Sequence, residues 1–183
     1  WQAASLIEVE IGQTLVKARR AVPDNDALEV FVYSPNRDGL FASIVATLDR
    51  KGYGIHRARV LDAPHDAIFD VFEVLPQDTY ADSDPQRLAA TLRQVLAGDL
   101  QNVRPARRAV PRQLRHFRFA PRVEFSESAG GRRTRISLVA PDRPGLLADV
   151  AHVLRIQHLR VHDARIATFG ERAEDQFQIT DEH

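Results

Sequence analysis

A chain of 183 residues, 44% apolar and 27% charged, with a formal net charge of zero, has the balance of a globular protein with one or two small domains. That charge exerts no global pull toward nucleic acid or an anionic membrane surface, and no apolar run approaches the ~18 residues that crossing a bilayer takes. Cysteine is absent, which excludes disulfides, thiolate nucleophiles and Cys-based zinc sites; a cytoplasmic setting is expected.

In chain order, residues 1–12 suit the end of a helix, and Thr14 to Arg19 a short strand. Pro23-Asp24-Asn25-Asp26 is a turn cluster. Leu28 to Tyr33 alternates β-formers and predicts a strand. Asn36 then offers a helix N-cap, and Leu40, Phe41, Ile44, Val45 and Leu48 form one amphipathic stripe. Gly52 and Gly54 end that helix near Lys51. Strands follow over Ile55–Leu61 and Ala67–Leu75, separated by a turn at Pro64-His65-Asp66. Asp84-Pro85 opens a second helix with its apolar face at Leu88, Leu92, Val95 and Leu96, ending at Gly98. Arg122–Phe125 is expected to be the fourth strand of this unit, after a long Arg-rich connection. Strand, helix, strand and strand recur over Arg135–Val139, Pro144–Leu154, Val161–Ala167 and Asp175–Thr180.

The recurrence is an internal repeat, which sets the architecture before anything else. Ser34-Pro35-Asn36-Arg37-Asp38-Gly39-Leu40-Phe41 returns 106 positions later as Ala140-Pro141-Asp142-Arg143-Pro144-Gly145-Leu146-Leu147. Leu48 matches Leu154, Ile55-His56 matches Val161-His162, and Ala58-Arg59-Val60 matches Ala164-Arg165-Ile166. After a one-residue slip, Asp70 to Val74 matches Asp175 to Ile179. The order β-α-β-β-α-β is the ferredoxin-like plait. The expected fold is therefore α+β: two ferredoxin-like βαββαβ modules in tandem, the second truncated at its C-terminal end. Residues 1–27 form a segment following an upstream domain, 28–126 the first module with its connection, and 132–183 the second. A start at Trp1, the lack of Met and an end directly after a strand suggest a piece of a longer protein. With only Lys17 and Lys51 among 25 basic residues, the composition suits a GC-rich bacterial genome.

The repeated strand–(Asn/Asp)-Arg-x-Gly-Leu–helix junction is the candidate site. A helix start offers unpaired N–H groups and partial positive charge to a carboxylate, glycine admits close approach, and Asn36 or Asp142 can meet an amino group. The alternative is that Asn36 and Asp142 merely cap their helices. Duplication of the whole pattern brings the two readings level. The candidate ligand-binding residues are Asn36, Asp38, Gly39 and Leu40, with Asp142, Gly145, Leu146 and Leu147 in the second copy. His162, like His56 in the first copy, opens its strand near where a ligand could lie between modules; a histidine hydrogen-bonded at the sheet edge is the other reading. The face Phe69, Val71, Glu73, Leu75 is apolar in the first copy, where the second has Gln176, Gln178 and Thr180. A cover is expected there, from the N-terminal segment or a partner.

A His-Asp metal site needs ligands converging from helices, whereas His65-Asp66 and His162-Asp163 lie in a turn and a strand. Adjacent strand residues point to opposite faces, so His162 and Asp163 cannot easily share a metal, and no metal site is expected. The basic run Arg104, Arg107, Arg108, Arg112, Arg115, Arg118 and Arg122 suits a solvated or intersubunit linker. Motifs that stack bases are lacking, so no nucleic-acid partner is expected.

Asp142-Arg143-Pro144-Gly145-Leu146-Leu147, with Val161 to Ile166 and Gly170-Glu171-Arg172, resembles the ACT domain, whose modules pair their sheets and bind amino acids at this loop. The tandem copies, the stretch Pro111 to Phe117 and the closing Ala167 to Asp181 are similar to one family's C-terminal region, over roughly residues 28–183. It is the bifunctional PII uridylyltransferase/uridylyl-removing enzyme family of bacterial nitrogen control. The first copy departs from its pattern, with Asn36 and Asp38 where Asp and Pro are usual, and lacks the Gly-Glu-Arg turn. The resemblance implies a glutamine-sensing regulatory region without catalytic residues or a cofactor of its own. It also implies ACT–ACT pairing, within or between chains. The parent enzyme it implies has a nucleotidyltransferase domain, expected to use Mg2+, that uridylylates the PII protein. A hydrolase domain reverses the modification, and glutamine favours removal. The alternative is a free-standing ACT-repeat protein that senses another amino acid.

Overall fold

The computed structural model describes residues 12–21, 26–100, 103–106, 119–128 and 130–181. In chain order the elements are β1 (Leu15–Arg20), β2 (Leu28–Pro35), α1 (Leu40–Arg50), β3 (Tyr53–Ala63), β4 (Ala67–Pro76) and α2 (Pro85–Leu96). After the connection come β5 (Arg122–Glu127), β6 (Thr134–Pro141), α3 (Leu146–Ile156), β7 (Leu159–Phe169) and β8 (Arg172–Asp181). The eight strands form one antiparallel sheet in the order β1-β2-β4-β3-β7-β8-β6-β5. Each half has the strand arrangement of a ferredoxin-like plait.

One strand expectation is corrected. Arg122–Glu127 does not close the first copy; it pairs with β6, from Arg122 against Val139 to Glu127 against Thr134. The fourth-strand position of the first copy is filled by β1, which pairs with β2 from Leu15 against Tyr33 to Arg20 against Leu28. The slot beside a module's first strand needs an antiparallel neighbour, and a strand that precedes it in the chain satisfies the ladder as well as one that follows.

The two halves meet edge to edge where β3 pairs with β7. Arg59 lies opposite Arg165, its own repeat equivalent, so a pseudo-twofold axis passes through that pair. Helices α1 and α3 pack antiparallel over this seam. Each presents an apolar stripe that buries Ile44, Val45 and Leu48, or Leu147, Ala151 and Leu154. Phe41 of α1 bridges the halves: its ring stacks on Phe72 at 6.4 Å and meets Phe177 edge-on at 6.4 Å. Helix α2 starts as its sequence predicts, with Asp84 accepting the Gln86 N–H at 2.9 Å and Pro85 in the first turn. It covers the outer part of the first half with Leu88, Leu92 and Leu96. Burying a side chain of this kind contributes roughly 1.5–3 kcal/mol before entropy is counted.

On the open face, one row crosses all eight strands: Lys17, Phe31, Val71, Arg59, Arg165, Gln176, Ser137 and Glu124. Its apolar end is covered. Phe31 is wholly buried, Phe69 meets it edge-on at 4.9 Å, and Phe69 and Val71 are half-buried. The expected N-terminal cover (residues 1–11) and the Arg107–Arg118 run lie outside the described residues.

Candidate functional site

Both strand–helix junctions fold alike. Gly39 and Gly145 occupy the N-cap positions of α1 and α3 with φ near +77°, and no side chain caps either helix. Asn36 and Asp142 are therefore not helix caps; three residues separate each from its helix, and a left-handed glycine makes the corner. The loop is tied back through its backbone instead. The Asn36 N–H donates to the Asp66 carbonyl and the Asp142 N–H to the Glu171 carbonyl, both at 2.8 Å.

Each junction opens into a cavity of about 40 Å³ between the halves. The first is walled by Asn36 to Ala42, by Val60, Ile68 and Asp70 on the sheet, and by the far half's Leu154, Arg155, Arg160 and Val161. The second is walled by Asp142, Arg143, Gly145 to Ala148, Ile166 and Asp175, and by the first half's Asp49, Gly54 and Ile55. The pseudo-twofold axis exchanges the two. Because α1 and α3 run antiparallel, the last turn of each reaches the glycine of the other. A Cβ on Gly39 would stand 3.1 Å from Cδ of Arg155; one on Gly145 would stand 3.6 Å from Oδ1 of Asp49.

Each cavity has a buried aspartate in its floor. Asp70 is 1% exposed and faces the helices from a sheet row in which Val32 and Val60 flank it. Burial pushes its carboxyl well above the usual carboxylate range. Asp175 is 2% exposed between Leu138 and Ile166. Burial raises it to about 7, against a hydrogen bond from the Ala167 backbone and with a further push from the Asp142 charge. Asp142 is raised as well, first by burial, offset by the Arg143 N–H and by the charges of His56 and Arg143. Oδ1 of Asp70, Oδ1 of Asp175 and Nδ2 of Asn36 are buried without a hydrogen-bond partner. Such orphaned polar atoms are rare inside proteins and mark where a ligand or water completes the bonding.

Of the residues singled out in the sequence, Asn36, Asp38, Gly39 and Leu40 line the first cavity, and Asp142, Gly145, Leu146 and Leu147 the second. His162 lines neither. It sits at a β-bulge in β7, as His56 does in β3, which is why the alternation breaks there. Its Nδ1 lies 3.0 Å from Oδ2 of Asp62 and its Nε2 2.8 Å from Oγ1 of Thr180, beside a cleft of about 980 Å³ that also includes Arg133. Arg133 pairs with Asp62 at 2.7 Å and Arg160 with Asp66, so this cluster ties the halves together at one end of the seam. The cavity residues not singled out as site residues include the charged groups Asp49, Asp70, Arg155 and Asp175. Their signal was in the repeat, which aligns Asp70 with Asp175 and sets Asp49 against Arg155.

No protein-family model matches the chain. Among solved structures it is similar to aspartate kinase from Synechocystis, with a TM-score of 0.44 and 17% identity over 86% of this chain and 24% of that one. Among curated proteins it is 97% identical, over all 183 residues, to the bifunctional uridylyltransferase/uridylyl-removing enzyme of Xanthomonas axonopodis pv. citri (strain 306). The identity is 93% to that of Xanthomonas campestris pv. campestris (strain B100) and 34% to that of Vibrio campbellii (strain ATCC BAA-1116). In each case the chain is matched in full and spans 21% of the relative's length. Over its whole length the chain belongs with the C-terminal fifth of the bifunctional uridylyltransferase/uridylyl-removing enzymes.

Proposed function

We propose that this chain is the amino-acid-sensing region of such an enzyme and that glutamine is its ligand. The observation that carries the reading is the pair of cavities between the halves, each combining an uncapped helix start, a left-handed glycine and an orphaned buried aspartate oxygen. The ligand's carboxylate docks on the backbone at the glycine corner, where the helix end favours negative charge. Its ammonium meets the Asn or Asp side chain of the loop and the floor aspartate. A cavity of about 40 Å³ has room for a few waters only. An amino acid therefore enters as the facing helix end and loop give way, which shifts the two halves against each other. A ligand moves an equilibrium only by its differential affinity for the two states, and a site shared between halves supplies that difference.

In the parent enzyme, this movement would be read by catalytic domains that uridylylate and deuridylylate the PII signal protein, with glutamine favouring removal. The divalent ion that nucleotidyl transfer calls for would belong to those domains. The test is titration calorimetry of the 183-residue chain with glutamine, glutamate, serine and glycine. Selective heat for glutamine supports the reading, and preference for another of the four replaces it with a sensor of that amino acid. Glutamine binding that survives Gly39→Val together with Gly145→Val rules out these junctions.

A further inference from the structure

The two cavities are related by the fold but opposite in charge. The repeat places Asp49 and Arg155 at equivalent positions, the last turns of α1 and α3, and each points at the glycine corner of the other half. At the first junction the Arg155 side chain therefore lies against the α1 start, its Cδ 3.1 Å from where a Gly39 Cβ would stand, with Arg37 and Arg160 in the same wall. At the second, a carboxylate already stands at the α3 start. Asp49 is 5% exposed, and its Oδ2 accepts the Ala106 N–H at 3.2 Å, which holds it there. A carboxylate at a helix start is favourable by itself.

We propose that the amino acid binds at the first junction alone, and that the Asp49 carboxylate is the permanent internal occupant of the second. This rests on the amino-acid-sensing reading given above and specifies its stoichiometry and polarity. At the first junction, a ligand carboxylate meets the Gly39 corner and the Arg155 guanidinium, whose five donors leave capacity for it beside any other bond. The ligand's ammonium faces the orphaned Oδ1 of Asp70, nine-tenths and more buried in the cavity floor, while the Asn36 side chain completes the mouth without adding charge. At the second junction the same ligand would bring its carboxylate against Asp49 at the Gly145 corner, and like charges at such range repel strongly where water is scarce. The more complete repeat phrase, Asp142-Arg143-Pro144-Gly145-Leu146, thus marks the copy whose anion position the protein fills itself.

Calorimetry of the 183-residue chain with L-glutamine tests this. One glutamine per chain is expected. Arg155→Ala should weaken binding roughly 10- to 100-fold, the scale of a charge-assisted hydrogen bond, and Arg155→Lys should recover part of the loss. Asp49→Asn should add a second, weaker binding event. Circular dichroism of each variant establishes that it folds. Two glutamines per native chain, native affinity in Arg155→Ala, or no added event in Asp49→Asn would overturn the single-site proposal and leave the sensing reading standing. No binding of any of the four amino acids would overturn both.

Discussion

Replacing Asp175 by asparagine should stabilise the protein far more at pH 8 than at pH 5. The carboxyl is 2% exposed, flanked in the sheet by Leu138 and Ile166, and burial lifts it to about 7. At pH 5 an unfolded chain has already released this proton, while the folded chain retains it. The native state thus binds more protons throughout the interval, and stability falls as pH rises through it. From pH 5 to the folded value is about two pH units, which at roughly 1.4 kcal/mol each amounts to about 3 kcal/mol. Above the folded value the penalty is constant. Asparagine has the same shape, can still accept the Ala167 N–H and never ionises, so the variant lacks this slope. In a chain of this size 1 kcal/mol moves Tm by about 2–4 °C. The advantage of Asp175→Asn over the native protein should therefore grow by about 6–12 °C between pH 5 and pH 8. Thermal denaturation followed by circular dichroism at pH 5, 6, 7 and 8 reads this directly. An advantage of the same size at every pH would refute a carboxyl held neutral by burial.

Three further outcomes follow from the geometry. Phe177→Ala removes a wholly buried ring that meets Phe41 across the seam, and should cost about 3–5 kcal/mol in urea unfolding. Gly39→Ala and Gly145→Ala should each cost about 1–2 kcal/mol because both sit at φ near +77°. Gly39→Ala should be the worse by thermal melting, since its Cβ meets Arg155 at 3.1 Å where that of Gly145→Ala has 3.6 Å to Asp49. At pH values low enough for Asp70 of the free protein to hold its proton, glutamine binding should release that proton, because an ammonium beside Asp70 favours the ionised form that burial disfavours. Apparent binding enthalpies that agree in phosphate and Tris buffers would count against that contact.

Much of this was legible in the chain because the repeat and the hydrophobic periods agree. Leu40, Ile44 and Leu48 predicted the buried stripe of α1, and Asp84-Pro85 placed the start of α2. The pairing partner of Arg122–Glu127 was not legible. Alternation shows that a segment is a strand, but it does not say which neighbour completes its ladder. Of LVKARR in β1 and RVEFSE in β5, only Val16 and Val123 coincide at equivalent positions. The αL corner hid the helix start, since Asn36 has a capping residue's chemistry while Gly39 has the required backbone. The floor aspartates looked like ordinary polar residues of an alternating strand. Alternation puts them in line with Phe72 and Phe177, on the helix side, but only the folded junctions show a cavity above them.

The position of β1 bears on how the chain reaches its native state. Had the first half been closed by a strand following α2, that edge would have needed a contact reaching across the whole module. As built, Leu15 pairs with Tyr33 and Arg20 with Leu28, so the edge forms as a local hairpin. β5 and β6 repeat the device with Arg122 against Val139 and Glu127 against Thr134. Loop-closure entropy is paid over short segments, and pairings of low sequence separation form early and fast. The seam between β3 and β7 closes a far longer stretch, since its partners Arg57 and Ala167 lie far apart in the chain. Each half thus has an edge that needs only local chain, whereas the cavities exist only once the halves have joined.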